Sequence, residues 1–193
     1  MPITLERILL LLSNINDDEF MINSVNYTRL ELFEKHGKKM LLLLTIHAFG
    51  NSRTYIELVV NGPTRIEFTL NGGSEFLIEL VKEFDAEKMS LILEYKRNSK
   101  VGEFTFGNLL HGASGKPQSE DESNESGDDS DEDEFYGQII KKFTVCTRNG
   151  DARVDVTLDY SPEYSYSMPC ATDFLIVLIN MFKTLNLNVK ISY

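Results

Sequence analysis

The densest set of titratable groups in the chain lies in one stretch. From Ser119 to Glu134 it reads SEDESNESGDDSDEDE. Ten of these residues are acids, Glu120, Asp121, Glu122, Glu125, Asp128, Asp129, Asp131, Glu132, Asp133 and Glu134, and none is a base. Carboxylates this concentrated attract polycations through a long-range field that salt weakens. Ser119, Ser126 and Ser130 each have an acid three residues on, at Glu122, Asp129 and Asp133. That pattern suits acidophilic kinases of the casein-kinase type, and each phosphate would add a charge of roughly -1.5 to -2. The ten acids are therefore candidate partner-binding residues, and the three serines candidate phosphorylation sites. A solubilising spacer is the alternative reading. The acids lack the spaced DxDxDG…E frame of a calcium loop, so specific calcium binding is not expected.

Other reactive residue types are scattered. The histidines are His36, His47 and His111, and no two stand at metal-ligand spacing. Cys146 and Cys170 are the cysteines, with no CxxC, and neither is near a histidine in sequence. Asn61-Gly62 and Asn71-Gly72-Gly73 lack the frames that cradle phosphates and read as turns. Tyr160, Tyr164 and Tyr166 could form an exposed contact patch or pack within a strand. No catalytic residue, cofactor or metal site is expected, and the chain does not read as an enzyme.

The acidity belongs to the insert. The chain has 193 residues, 30 acids and 19 bases, for a net charge of -11. Removing the ten acids of the insert leaves 20 acids against 19 bases, so the remainder is near neutral. Such a charge makes nucleic acid a poor partner. A protein partner, basic in character, is the expectation. Two cysteines are too few for a secreted disulfide scaffold, which favours a nuclear or cytoplasmic setting. The apolar run Ile8 to Leu12 is too short for a signal peptide or a membrane span. The insert has no apolar residue to bury and should be disordered. Before it, Gly112 to Pro117 has linker composition.

The elements that must carry these residues repeat. Shifted by 98, Phe76, Leu77, Ile78, Leu80, Phe84 and Tyr95 fall on Phe174, Leu175, Ile176, Leu178, Phe182 and Tyr193. Shifted by 101, Thr4-Leu5-x-x-Ile8-Leu9 meets Thr105-Phe106-x-x-Leu109-Leu110. The same 98-residue shift sets Cys146 on Ala48 and Arg153 on Tyr55. Periodicity predicts a helix from Thr4 to Asn14. Strands follow at Tyr27–Phe33, Met40–Ala48, Thr54–Val60 and Arg65–Leu70, the first two joined as a hairpin. Ser74 then caps a helix to Phe84, and Met89–Tyr95 is a strand. The second copy gives strands near 138–147, 152–158 and 163–168. A helix capped by Thr172 runs to Lys183, and a last strand covers 187–193.

The expected fold is α+β. It is a tandem duplication of a helix–four-strand–helix–strand unit, with a curved antiparallel sheet, helices packed on one side and pseudo-two-fold symmetry. The first repeat spans 1–97. The second spans 98–193 and carries the disordered acidic insert at about 113–134. Counted as strand, helix, strands, helix, the order resembles the saddle fold of the TATA-binding protein and its relatives. The resemblance lies in element order and implies a saddle-like sheet; no functional residue is carried over. The expected function is a non-enzymatic interaction module with a phosphorylatable acidic arm for a basic partner, such as a histone-like tail. The alternative is an adaptor subunit of a larger complex, with the insert a spacer.

Overall fold

A computed structural model of the chain describes residues 3–12, 19–22, 25–61, 64–97, 104–114 and 136–193. In chain order the elements are α1 (Leu5–Leu11), β1 (Glu19–Ile22), β2 (Val25–Thr28), α2 (Arg29–His36), β3 (Leu41–Phe49), β4 (Arg53–Val60), β5 (Arg65–Asn71), α3 (Ser74–Ala86) and β6 (Ile92–Lys96). They continue with α4 (Phe106–Ser114), β7 (Ile140–Arg148), β8 (Asp151–Leu158), β9 (Tyr164–Met168), α5 (Ala171–Leu185) and β10 (Asn188–Ser192). All ten strands form one open sheet in the order β2-β1-β5-β4-β3-β10-β6-β7-β8-β9, and each neighbouring pair is antiparallel. The chain is thus a mixed α+β fold.

Period-two alternation assigns the two faces of the sheet. Leu44 and Ile46 of β3, Ile56 and Leu58 of β4, Leu93 and Tyr95 of β6, Phe143 and Val145 of β7, and Val154 and Val156 of β8 are all buried. Over that face lie the apolar stripes of the helices. Phe76, Leu77, Leu80, Val81 and Phe84 are the buried side of α3; Phe174, Leu175, Leu178, Ile179 and Phe182 are that of α5. Each such side chain contributes about 1.5–3 kcal/mol when fully buried, so these stripes fix the helices to the sheet. At the centre Tyr95, Phe104, Phe143 and Phe182 pack with ring centroids 5.2–6.3 Å apart. One continuous core results, running from Ile3 to Ile191.

The sheet is also continuous across the sequence midpoint. β10, from the end of the chain, lies between β3 and β6. The turn after β3 is tied to the end of α5: the Asn51 amide donates to Asn186 Oδ1 at 2.9 Å, and the Gly50 amide to the Leu187 carbonyl at 3.0 Å. Gly50 has φ +58°, and a Cβ there would sit 2.0 Å from Asn186 Oδ1. Only glycine meets both demands.

Several expectations need correction. The strand placed at Tyr27–Phe33 is mostly helix: β2 stops at Thr28 and α2 follows. Thr28 and Glu31 form a capping box, in which the Thr28 hydroxyl accepts from the Glu31 amide and the Glu31 carboxylate accepts from the Thr28 amide. Two orphan amides are satisfied together, which outweighs the weak alternation of Tyr27, Leu30 and Leu32. The hairpin expected between the first two strands is absent among the described residues: α2, ending at Lys35 and His36, stands between them, and β2 pairs with β1, not with β3. The first unit therefore has five strands and an extra helix before α3, not four strands. Ser74 and Thr172 are not caps. The residues before the two helices, Gly73 and Cys170, are left-handed, and neither cap makes a side-chain bond. The first helix ends at Leu11, short of Asn14.

Candidate interaction surface

No helix among the described residues covers the second face of the sheet. Two cross-strand rows cross its centre. The first is Thr69, Tyr55, His47, Lys190, Glu94, Thr144, Asp155 and Ser165; the second is Glu67, Glu57, Thr45, Ser192, Ile92, Cys146, Arg153 and Ser167. Strand alternation puts these residues on one side because their neighbours in sequence face the helices.

The surface mixes paired charges with uncovered apolar groups. Arg65 bridges Glu57 and Glu67, Lys190 Nζ lies 3.5 Å from Glu94 Oε2, and Arg153 Nε lies 3.2 Å from Asp155 Oδ1. Ser165 also donates to Asp155, and these bonds hold its carboxyl below the usual carboxylate range. Between the charges, His47 has its ring 6.4 Å from Phe49 and 6.3 Å from Tyr55. Burial, followed by the field of Glu67, raises the Tyr55 phenol. Leu43, Phe49 and Ile92 are exposed here, Phe49 by 45 %. Beside Phe49 is a shallow depression of ≈ 350 Å³ lined by His47, Glu94, Lys96, Lys142 and Lys190. An antiparallel sheet that faced only water would alternate apolar-in and polar-out. β3 departs from that rule at Leu43 and Phe49. Its signal in sequence was the run Leu41-Leu42-Leu43-Leu44, which is apolar on both faces.

The acidic arm and its serines lie outside the described residues, so Glu120 to Glu134, Ser119, Ser126 and Ser130 have no assigned place. Its root beyond the insert is described. The Phe106 amide of α4 donates to the Gln138 carbonyl at 2.9 Å, and Ser161 Oγ donates to Gln138 Oε1 at 2.8 Å. The return point of the arm is therefore fixed at the start of α4.

Other groups are kept apart. His47 and Cys146 sit on strands three places apart, about 14 Å at a strand spacing of about 4.8 Å. Burial raises the Cys146 thiol, which lowers its thiolate fraction. Among the described residues, no three His, Cys, Asp or Glu gather as a metal would need, and no helix is long and apolar enough to cross a membrane. Of the three grouped tyrosines, Tyr160 is 91 % exposed. Tyr164 and Tyr166 are half-buried against the core, Tyr164 beside Phe106. They do not form one patch.

Comparison with known protein families, with characterised proteins and with solved structures found no match.

Proposed function

We propose that this chain is a non-enzymatic interaction module of the nucleus or cytoplasm. Its helix-free sheet face docks a protein partner, and its segment 119–134 is an acidic, phosphorylatable arm that draws in a basic segment of that partner. The observation that carries the reading is the uncovered face itself, where Leu43, Phe49 and Ile92 stand exposed beside the His47–Tyr55 ring pair. Aromatic and aliphatic groups rimmed by paired charges are the composition of a contact surface. The arm adds ten carboxylates beyond a near-neutral body. Fields of that kind speed association more than they strengthen the final contact.

We also infer an internal duplication with a pseudo-two-fold axis, the halves meeting at 97/98. Register supports it. β3 and β7 each carry an irregularity at their start, at Leu41/Leu43 and Ile140/Lys142. The bridges Thr4↔Met40 and Thr105↔Ile139 occupy matching places. The two cross-strand rows of the open face exchange under the same operation, Cys146 for His47 and Arg153 for Tyr55. The first copy then has β1, β2 and α2 where the second has the acidic insert.

A second reading is favoured by the same apolar groups: an adaptor subunit in which the face makes every contact and the insert is a spacer. Capture from a lysate by the intact chain beside one lacking 119–134 separates them. Loss of the recovered partner without the arm supports the first reading. Undiminished recovery supports the second.

A further inference from the structure

We propose that the basic end of the open sheet face, around Lys96, Lys142 and Phe49, is a binding site for a short acidic segment of the partner protein. The proposal rests on the docking face read above and names what one end of it takes. Lys96 and Lys142 are register partners across β6 and β7, and both are exposed. The Arg97 amide donates to the Lys141 carbonyl at 2.9 Å, which makes 97/141 a hydrogen-bonded pair. The next pair, 96/142, is then of the other kind, in which facing side chains stand closest. Like charges set directly opposite destabilise a sheet. A carboxylate held between the two ammonium groups removes that cost.

The surroundings add to the basic character. Among the described residues that line the depression, Glu94 is the one acid, and Lys190 already lies 3.5 Å from it. Neither Lys96 nor Lys142 has an ion-pair partner among the described residues. On β3, Phe49 is 45 % exposed, with Arg53 and Asn188 as its register partners. Because Val189 pairs with Tyr95, Asn188 comes level with Lys96. The row thus reads Arg53, Phe49, Asn188, Lys96, Lys142, with cations at both ends and an aromatic ring between them.

That row selects the occupant. It crosses from β4 to β7, four strand spacings of about 4.8 Å, or about 19 Å in all. About six extended residues span this length. The occupant is a segment of that size, with acids near its ends and an apolar side chain over Phe49. A nucleic acid strand fits less well. Its phosphates are continuous, whereas the face also carries Glu57, Glu67 and Asp155, in a chain of net charge -11. The partner thus brings an acidic segment for this row and a basic one for the arm.

The test is an anisotropy titration of the full chain with the peptide fluorescein-Glu-Glu-Leu-Phe-Glu-Glu-amide. One control peptide has Gln for every Glu, and a second has Ser for Leu and Phe. Wild type should bind the acidic peptide less tightly as salt rises, and each control about fivefold more weakly. Lys96→Glu with Lys142→Glu should lower affinity at least about tenfold. Lys142→Glu alone separates binding from folding. It turns a like-charged pair into an opposite-charged one, so it should raise the melting temperature by about 1–4 °C while weakening the peptide.

No binding, binding indifferent to the two lysines, or tighter binding of oligothymidylate overturns the proposal. Binding seen only after the ten acids of the arm become Asn and Gln overturns the partner as occupant and hands the site to the chain's own arm. If recovery of the lysate partner depends on Leu43, Phe49 and Ile92 but not on Lys96 and Lys142, the docking face stands and this assignment falls.

Discussion

Leu93 and Ile191 face each other across β6 and β10, both buried, at the centre of the ten-stranded sheet. They stand 98 positions apart, the same shift that sets Phe84 on Phe182 and Tyr95 on Tyr193. In the proposed duplication the axis passes between them. β10 is thereby inserted between two strands of the first half, and neither half has a complete sheet without the other.

That interleaving predicts one unfolding transition. Leu93→Ala and Ile191→Ala should each cost about 2–5 kcal/mol, the range for a buried aliphatic truncated to alanine. The double variant should depart from additivity, because the two residues are neighbours. Denaturant melts followed by circular dichroism and by tyrosine fluorescence should coincide. Two separate transitions, one moved by each substitution, would contradict the shared core.

The capping box of α2 gives a second expectation. Thr28→Ala should cost about 1 kcal/mol. The backbone and hydroxyl bonds from Thr28 hold the Glu31 carboxyl below its ordinary range. A depressed acid stabilises the fold above its unfolded value, and that stabilisation is lost as pH falls through the folded value. The difference between wild type and Thr28→Ala should therefore shrink on acidification below the usual carboxylate range. Melting temperatures across that window check it.

His36, at the end of α2, sets a window at higher pH. Burial, then the fields of Lys39 and Lys35, lowers its imidazole, and Nδ1 is buried without a hydrogen-bond partner among the described residues. In the unfolded chain the ring takes up a proton near the ordinary value of about 6.5. The folded state resists that proton, so stability is full above this value and declines as pH falls through the lowered one. His36→Gln should flatten the decline. An identical pH profile in the variant would remove His36 as its cause.

Much of this architecture is legible in the sequence, and the failures have physical reasons. The stripes of α3 and α5 appear as apolar spacing because a helix on a sheet must bury one side. Thr28-Arg29-Leu30-Glu31 also carries its capping signature in plain view, but Tyr27, Leu30 and Leu32 imitate a strand over the same residues. Within the proposed duplication, the match of Cys146 to Ala48 moves by one position. The first turn holds Gly50, Asn51 and Ser52 between its strands, while the second holds only Asn149 and Gly150. In the proposed duplication a shift of 99 applies before the turn and 98 after it, which sets Cys146 on His47. The open face is not legible in the sequence because its members lie on different strands, and only the sheet order brings Tyr55, His47 and Lys190 into one row.

The proposed docking face can be tested apart from stability. Leu43→Ser, Phe49→Ser and Ile92→Ser remove exposed apolar groups, so each should change stability by only about 0.5 kcal/mol. Together they should sharply lower recovery of the partner captured by the intact chain. Loss of the cooperative melt would instead make these residues part of the core.

The most direct test of the account is a titration of that partner at low and high salt. Wild type is compared with a variant whose ten acids between Glu120 and Glu134 are replaced by Asn and Gln. The account predicts that salt weakens wild-type binding steeply, and that the neutralised variant binds more weakly at low salt, chiefly through a slower association rate. Phosphorylation at Ser119, Ser126 and Ser130 should strengthen binding. Equal affinity of both proteins at both salts would contradict the acidic-arm account and leave the adaptor reading.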